Sequence, residues 1–289
     1  MKYLRYVLIF VVLTIIVVAG SFFDKSSGDI KNFDGLKVVF YNVGQGDSEL
    51  IAAQNNTQML IDGGPKGDII IEKLSKEMPP WDRKIEFIVL THPHADHLNG
   101  LVEVLKRYDV GQIISTDAVH TTPQFFEWLN LIKNKKIPFK LSKDVSSIEL
   151  GNGAVVTILY PKTSFKDKEI KDLNDASIIM RLEYKGVSFL FTGDAGEKVQ
   201  EKLLLSGYSV THSDFLKVPH HGSKTGLSRD FLEKVSPTIS IIEVGKNSYG
   251  HPSATTLKML KNIGAKVYRT DKDGDVRVMV GTDGKWEIK

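Results

Sequence analysis

THPHADH, residues 91–97, follows the apolar run EFIVL at 86–90, and its reading decides the fold. A short run rich in β-branched and aromatic residues reads as a buried strand. The next apolar pattern, LVEVLKRY at 101–108, has helical spacing. His92, His94, Asp96 and His97 therefore lie on the turn where a strand passes into a helix. Imidazole nitrogen and carboxylate oxygen without thiolate suit zinc, and equally manganese or iron. The chain has eight His and no Cys, so any metal must rest on His, Asp, Glu or Asn. His92 and His94 alternate toward one ion, while Asp96 and His97 turn toward a second.

Two further groups complete such a pair of sites, and both end strands. Asp194 closes FLFTGD, and His220 and His221 close FLKVPHH. A carboxylate set between two divalent ions holds them roughly 3.5–4 Å apart, the separation used to activate a water and stabilise the attacking and leaving oxygens. Asp194 is the candidate bridge. His220 and His221 are both candidate ligands.

Around these motifs strands alternate with helices. LKVVFYNV, DSELIAA and TQMLID read as strands, IIIEKLSKEM as a helix, and PQFFEWLNLIKNKK as a helix opened by Pro123. SIIMRLEY and VSFLFTGD form a hairpin across Lys185-Gly186; GEKVQEKLLLS and SRDFLEKV read as helices, DFLKVP and TISIIEV as strands. No linker interrupts this order, which predicts one α/β domain with two sheets between helices. Hydrophobic residues make up 42% and charged residues 25%, which excludes a largely disordered chain. A net charge of +3 is too small to imply a polyanionic partner by itself.

The N-terminus departs from this pattern. Residues 6–23, YVLIFVVLTIIVVAGSFF, carry no charge and approach the roughly 20 apolar residues that span a bilayer. Lys2 and Arg5 precede them, which places the N-terminus in the cytoplasm and the rest outside. Residues 1–23 are expected to be a transmembrane anchor or, given small residues at Val17-Val18-Ala19, a cleaved signal peptide. Residues 24–35 form a polar stalk, and the protein is then either single-pass in the cell membrane or secreted.

YNVGQGDSELI, LIDGG, THPHADHLNGL, NDASIIMRLEY, FLFTGD, LKVPHHGSKT and NSYGHPS occur here in the order found in the metallo-β-lactamase fold hydrolases. Within that family they resemble the metal-binding domain of the ComEC competence proteins, over nearly all of 36–281. The resemblance implies an αββα four-layer sandwich over 36–289, two divalent ions, zinc or manganese, and hydrolysis of phosphodiesters such as those of DNA being taken up. Many superfamily members carry a metal-binding His where this chain has Asn174-Asp175-Ala176-Ser177, so Asn174 or Asp175 is a poorer first-site ligand and manganese gains over zinc.

In supporting roles, Asp62 at the end of a strand is expected to orient a ligand imidazole, and Asp47 lies in a Gly-rich turn beside the site. Asn247, Tyr249 and His251 are expected to meet a substrate phosphate, with His251 or a water protonating the leaving oxygen. Asp96 is assigned a catalytic as well as a ligand role. Ser223 and Lys224 could contact a phosphate backbone, and His120 reads as a loop residue. Two other readings stand beside a DNA phosphodiesterase: an esterase of cell-wall phosphodiesters of the phosphorylcholine type, and a non-catalytic module using metal only for structure. Oligomeric state is not legible.

Overall fold

Strand β1 (Gly35–Phe40) shows how the layers arise. Leu36, Val38 and Phe40 enter one buried cluster while Val39 enters another on the opposite face, the period-two consequence of a pleated strand. A strand apolar on both faces must be covered on both. The structure is a computed structural model that describes residues 33–166, 168–205 and 210–289. The apolar run expected to be an anchor or signal peptide, and nearly all of the stalk, lie outside the described residues. Among the described residues, no helix is long and apolar enough to cross a membrane.

From β1 the chain lays down β2 (Glu49–Ala53), β3 (Thr57–Ile61), β4 (Lys84–Leu90), β5 (Asp109–Ser115) and β6 (Phe139–Leu141). It then crosses to a second sheet with β7 (Ser147–Gly151), β8 (Ala154–Tyr160), β9 (Ile179–Tyr184), β10 (Val187–Phe191), β11 (Phe215–Lys217), β12 (Ile239–Ile242) and β13 (Lys266–Arg269). Finally β14 (Val276–Gly281) and β15 (Trp286–Ile288) return to the first sheet. The orders are β15-β14-β1-β2-β3-β4-β5-β6 and β13-β12-β11-β10-β9-β8-β7.

Three cores separate four layers. Phe40, Ile61, Val156, Met180, Phe189 and Phe215 meet between the sheets. Helices α1 (Gly67–Glu77), α2 (Ala95–Arg107) and α3 (Pro123–Lys135) cover the outside of the first sheet, where Leu74, Leu101 and Trp128 join Leu60 and Ile88. Helices α4 (Glu197–Leu205), α5 (Arg229–Val235) and α6 (Ala254–Asn262) cover the second through Val199, Phe231 and Leu260. The expected αββα sandwich is therefore the observed one, with Gly35–Lys289 as a single compact unit. Strands β5 to β8 and β13 to β15 are additions to the sequence reading.

Parallel pairing positions the chemistry. Strands β3, β4, β5 and β6 run parallel, as do β10, β11, β12 and β13. The carboxyl ends of parallel strands share an edge, where α/β folds place their ligands. Asp62, Thr91, Asp194, His220 and Glu243 all stand just beyond such an end.

Close backbone approach seats α2 against this edge. Gly63 N donates to the His97 carbonyl at 2.7 Å and Gly100 N to the Gly64 carbonyl at 2.9 Å. A Cβ on Gly100 would lie 1.8 Å from the Gly63 carbonyl oxygen. In an exposed helix Gly→Ala would gain about 1 kcal/mol of helix propensity. Here Gly100→Ala is expected to lower the thermal midpoint sharply, and an unchanged or raised midpoint would show that α2 is not held this close.

Candidate metal centre

The backbone bends hard to bring the donors together. His220 and His221 both take left-handed conformations, φ 50° and 52°, as does Asp62 at φ 52°. Such a conformation costs a non-glycine residue about 1 kcal/mol or more and is characteristically retained at functional sites. Two consecutive turns of this kind send His221 into the interior, 2% exposed, and leave His220 at the rim. Gly193 at φ 49° precedes Asp194; a Cβ there would press on Ser177 and Thr91 at 3.1 Å.

The buried imidazoles share one orientation. His97 Nδ1 lies 2.7 Å from Asp62 Oδ2, while its Nε2 faces Asp194 Oδ2 at 3.4 Å. His221 Nδ1 lies 2.9 Å from the Glu243 carbonyl, with Nε2 at 3.3 Å from Asp96 Oδ2 and 3.6 Å from Asp194 Oδ2. His92 Nδ1 is 3.2 Å from Thr91 Oγ1, whose hydrogen goes to Asp62 Oδ2 at 2.6 Å. The Thr91 hydroxyl therefore accepts from His92 Nδ1–H, which leaves His92 Nε2 unprotonated, 3.0 Å from His94 Nδ1. His220 Nε2 stands 4.0 Å from Asp194 Oδ2. Of the adjacent pair, His221 occupies the interior donor position.

Electrostatics follow the burial. Burial pushes His92 well below the ordinary histidine range, and His97 pushes it further; burial also lowers His94. Both keep free lone pairs at neutral pH. Burial alone would lower His97 and His221, yet Asp194 and the other carboxylates outweigh it, raising His97 well above its usual value and His221 to about 10. Burial would raise Asp194, but His221 and His97 hold it well below the usual carboxylate range. Without a cation, then, protons on imidazole neutralise this cluster.

The donor set fits divalent cations in their place. Asp194 Oδ1, His97 Nε2 and Asn174 Oδ1 are buried with no hydrogen-bond partner, a costly condition that a cation would relieve. Ligand atoms of His92, His97 and Asp194 lie within 4.8 Å of one another, as do those of Asp96, His97 and His221. Asp194 touches donors of both sets, the position expected of a bridge. His92 and His94 would offer nitrogens to a first ion, and Asp96, His97 and His221 would hold a second; Asn174, on the turn Leu173–Ala176, keeps its buried Oδ1 unpaired.

Several supporting residues take places the sequence did not assign. Ser177 Oγ accepts from Asp194 N at 3.0 Å and lies 3.2 Å from His92 Nδ1, tying the bridge to the first-site histidine. Asp47, fully buried, sits behind both second-site imidazoles, 3.2 Å from His221 Nδ1 and 3.7 Å from His97 Nδ1. It pairs with Lys217, 1% exposed, whose Nζ also donates to the Gly193 carbonyl at 3.1 Å. One ammonium thus holds the carboxylate behind two ligands and the peptide before the bridge. Burial would lower Lys217, but Asp47, Glu243 and Glu49 more than offset it, so it is charged. Glu49 and Glu243 lie alongside. Burial raises both and Asp47 adds to it, with Glu49 raising Glu243 further; Glu49 reaches about 8, so at neutrality the pair carries protons.

Two expected substrate contacts, Ser223 and Asn247, need correction. Ser223 is 4% exposed behind the inward-turned histidines, so it does not line the rim, whereas Lys224 beside it is exposed. Asn247 is occupied by backbone: Nδ2 donates to the carbonyls of Gly245 and His251 at 2.9 Å each, and Oδ1 accepts from Tyr249 N and His251 N. It braces the loop that carries His251 and Tyr249. His251 stands at the rim with ring centroids 5.5 Å from His220 and 6.5 Å from His221. His120 comes within 6.2 Å of the His94 ring.

An αββα sandwich with paired imidazole and carboxylate donors at its strand ends defines a class of metal-binding α/β proteins. The chain belongs to the metallo-beta-lactamase superfamily, whose pattern matches residues 41–245. It is similar to ComE operon protein 3 of Bacillus subtilis, 26% identical over 83% of this chain and 32% of that protein. It is also similar to competence protein ComA of Neisseria gonorrhoeae, 27% identical over 86% of this chain and 33% of that one. The resemblance to competence proteins drawn from the motifs therefore holds. The chain spans about a third of the length of the curated relatives it matches. Among solved structures, CmlA, a diiron β-hydroxylase from Streptomyces venezuelae, superposes with a TM-score of 0.55 at 13% identity, over 86% of this chain and 55% of that one. That likeness concerns the fold alone.

Two outcomes test the centre. Lys217→Met leaves Asp47 buried without its partner, for which about 3–5 kcal/mol of lost stability is expected in urea unfolding. Adding Asp47→Asn to it should recover part of that loss, and a single variant within about 1 kcal/mol of wild type would show the pair to be dispensable. Asn174→His should shift zinc-manganese competition toward zinc, since imidazole is the better zinc donor. An unchanged ratio in a well-folded variant removes Asn174 from the ligands.

Proposed function

We propose that the protein is a metal-dependent phosphodiesterase that cleaves DNA outside the cytoplasmic membrane, carried there by its apolar N-terminal segment. The observation that carries this reading is Asp194, buried with its carboxylate within 4.8 Å of the ligand atoms of His92 and His97 and 3.6 Å from His221, beside an accessible rim of His220 and His251. Two divalent cations in such a set supply Lewis acidity, lowering the pKa of water and neutralising charge on a transferring phosphoryl group. The similarity to competence proteins favours DNA as the substrate.

The protein's own residues orient and hold protons. Asp62 fixes the His97 ring through Nδ1, and the Glu243 carbonyl does the same for His221, so both present Nε2 to the centre. Thr91 sets the tautomer of His92. Asp96 faces His221 from the first turn of α2, where its carboxylate would help hold a second ion and accept a proton from a water. His251 stands at the rim with its imidazolium disfavoured by burial and by His220 and His221, and we assign it the transfer of a proton to or from the departing oxygen. Protease added to intact cells should digest the domain if it faces outward; protection until lysis would overturn that placement.

The decisive experiment is cleavage of a single-stranded oligonucleotide by the full-length protein with zinc, manganese or magnesium, alongside elemental analysis. Wild type should bind two ions per chain and cleave, and Asp194→Ala should lose both ions and turnover. His251→Gln should keep the ions and lose about a hundredfold in kcat. A metal-loaded wild type inert toward every phosphodiester would overturn the reading.

A further inference from the structure

The loop Asn247–Pro252 is built with more care than a proton carrier requires. Its base is pinned where Gly245 N meets Gln45 Oε1 at 3.3 Å, and its far end where Ser253 N donates to the Gly222 carbonyl at 2.8 Å. Inside it, all four hydrogen bonds of the Asn247 amide go to loop backbone. What this rigid loop displays is Tyr249, a large aromatic 74% exposed to solvent. An aromatic left uncovered contributes little to folding, so presenting it to something else is the simplest account of the bracing.

The ring is not isolated. Tyr249 and His251 have centroids 5.7 Å apart with planes inclined 32°, and His251 and His221 are 6.5 Å apart at 29°. From solvent toward the buried donors, Tyr249, His251 and His221 are thus successive neighbours, each ring inclined by 29–32° to the next, with His220 edge-on to His251 at 76°. A flat ligand laid on the outer face of Tyr249 would extend this series. Lys246 and Lys224, both exposed, belong to the two loops at this rim and can meet backbone phosphates.

We propose that Tyr249, backed by His251, is a stacking platform for one unpaired nucleobase beside the scissile phosphodiester, and that it selects single-stranded nucleic acid. This rests on the phosphodiesterase reading and adds what that reading lacks, a reason for the enzyme to sense the base. Stacking tolerates any sequence because every base has a π-face, and alanine substitution of such a platform commonly costs about tenfold or more in affinity.

The test uses full-length protein with manganese and two strands of equal length, oligothymidylate and an abasic strand with tetrahydrofuran in place of each nucleoside. Wild type should show a KM about tenfold lower for oligothymidylate than for the abasic strand. In Tyr249→Ala that preference should collapse, while Tyr249→Trp should retain it and metal content should be the same in all three. Equal KM values for both strands in wild type would overturn the platform while leaving the phosphodiesterase reading intact. So would a Tyr249→Phe variant that behaves like Tyr249→Ala, which would assign the role to the hydroxyl. Cleavage of neither strand, with hydrolysis of p-nitrophenyl phosphorylcholine and a KM raised by Tyr249→Ala, would overturn both readings in favour of a choline ester.

Discussion

Five carboxylates, Asp47, Glu49, Asp62, Asp194 and Glu243, are each at most 2% exposed at one edge of this sandwich. Burying an unpaired ionised carboxylate is costly enough that it is neutralised by a proton, a cation or a hydrogen-bonded partner. Every device is used here. Glu49 and Glu243 carry protons, Asp47 has Lys217, Asp62 has Thr91 and His97, and Asp194 has the imidazoles. Most of the local architecture follows from this need. The same crowding makes the edge receptive to divalent cations, which can displace protons from His97 and His221 and satisfy Asp194.

That arrangement demands a backbone few sequences would choose locally. Asp62, His220 and His221 sit in left-handed conformations, and glycines occupy the points where α2 meets the sheet edge. Strain of this kind persists only where the surroundings over-determine it. The surroundings here are three apolar clusters, one between the sheets and one beneath each helical layer. Parallel pairing supplies the rest, since it brings loops distant in sequence to one edge. The rim has a different logic. The Asn247 brace and the two pinned loop ends fix a surface loop without burying its aromatic, and its neighbours open toward solvent.

How much was legible depended on whether a residue's role is set by its type and local position or by what folds against it. THPHADH at the end of an apolar strand, Asp194 after FLFTG and His220-His221 after FLKVP could be read directly. Ligand chemistry needs those residue types, and strand ends are where a sheet exposes them. The alternation of strands and helices likewise dictated two sheets between helices, through the period-two burial visible in β1. Strands β5 to β8 and β13 to β15 carried weaker local signals and were secured by pairing with neighbouring strands.

Tertiary structure alone decided the remainder. Lys217, Glu49 and Ser177 all fall in stretches that read simply as strands, because the charges and donors that define their roles arrive from other loops. Asn247 looked like a substrate contact until the closure of its loop placed four backbone groups around its amide. Between His220 and His221, identical and adjacent, composition offers no choice. Two left-handed turns of the backbone send one imidazole inward and leave the other at the rim, and those turns are enforced by long-range contacts that no local sequence encodes.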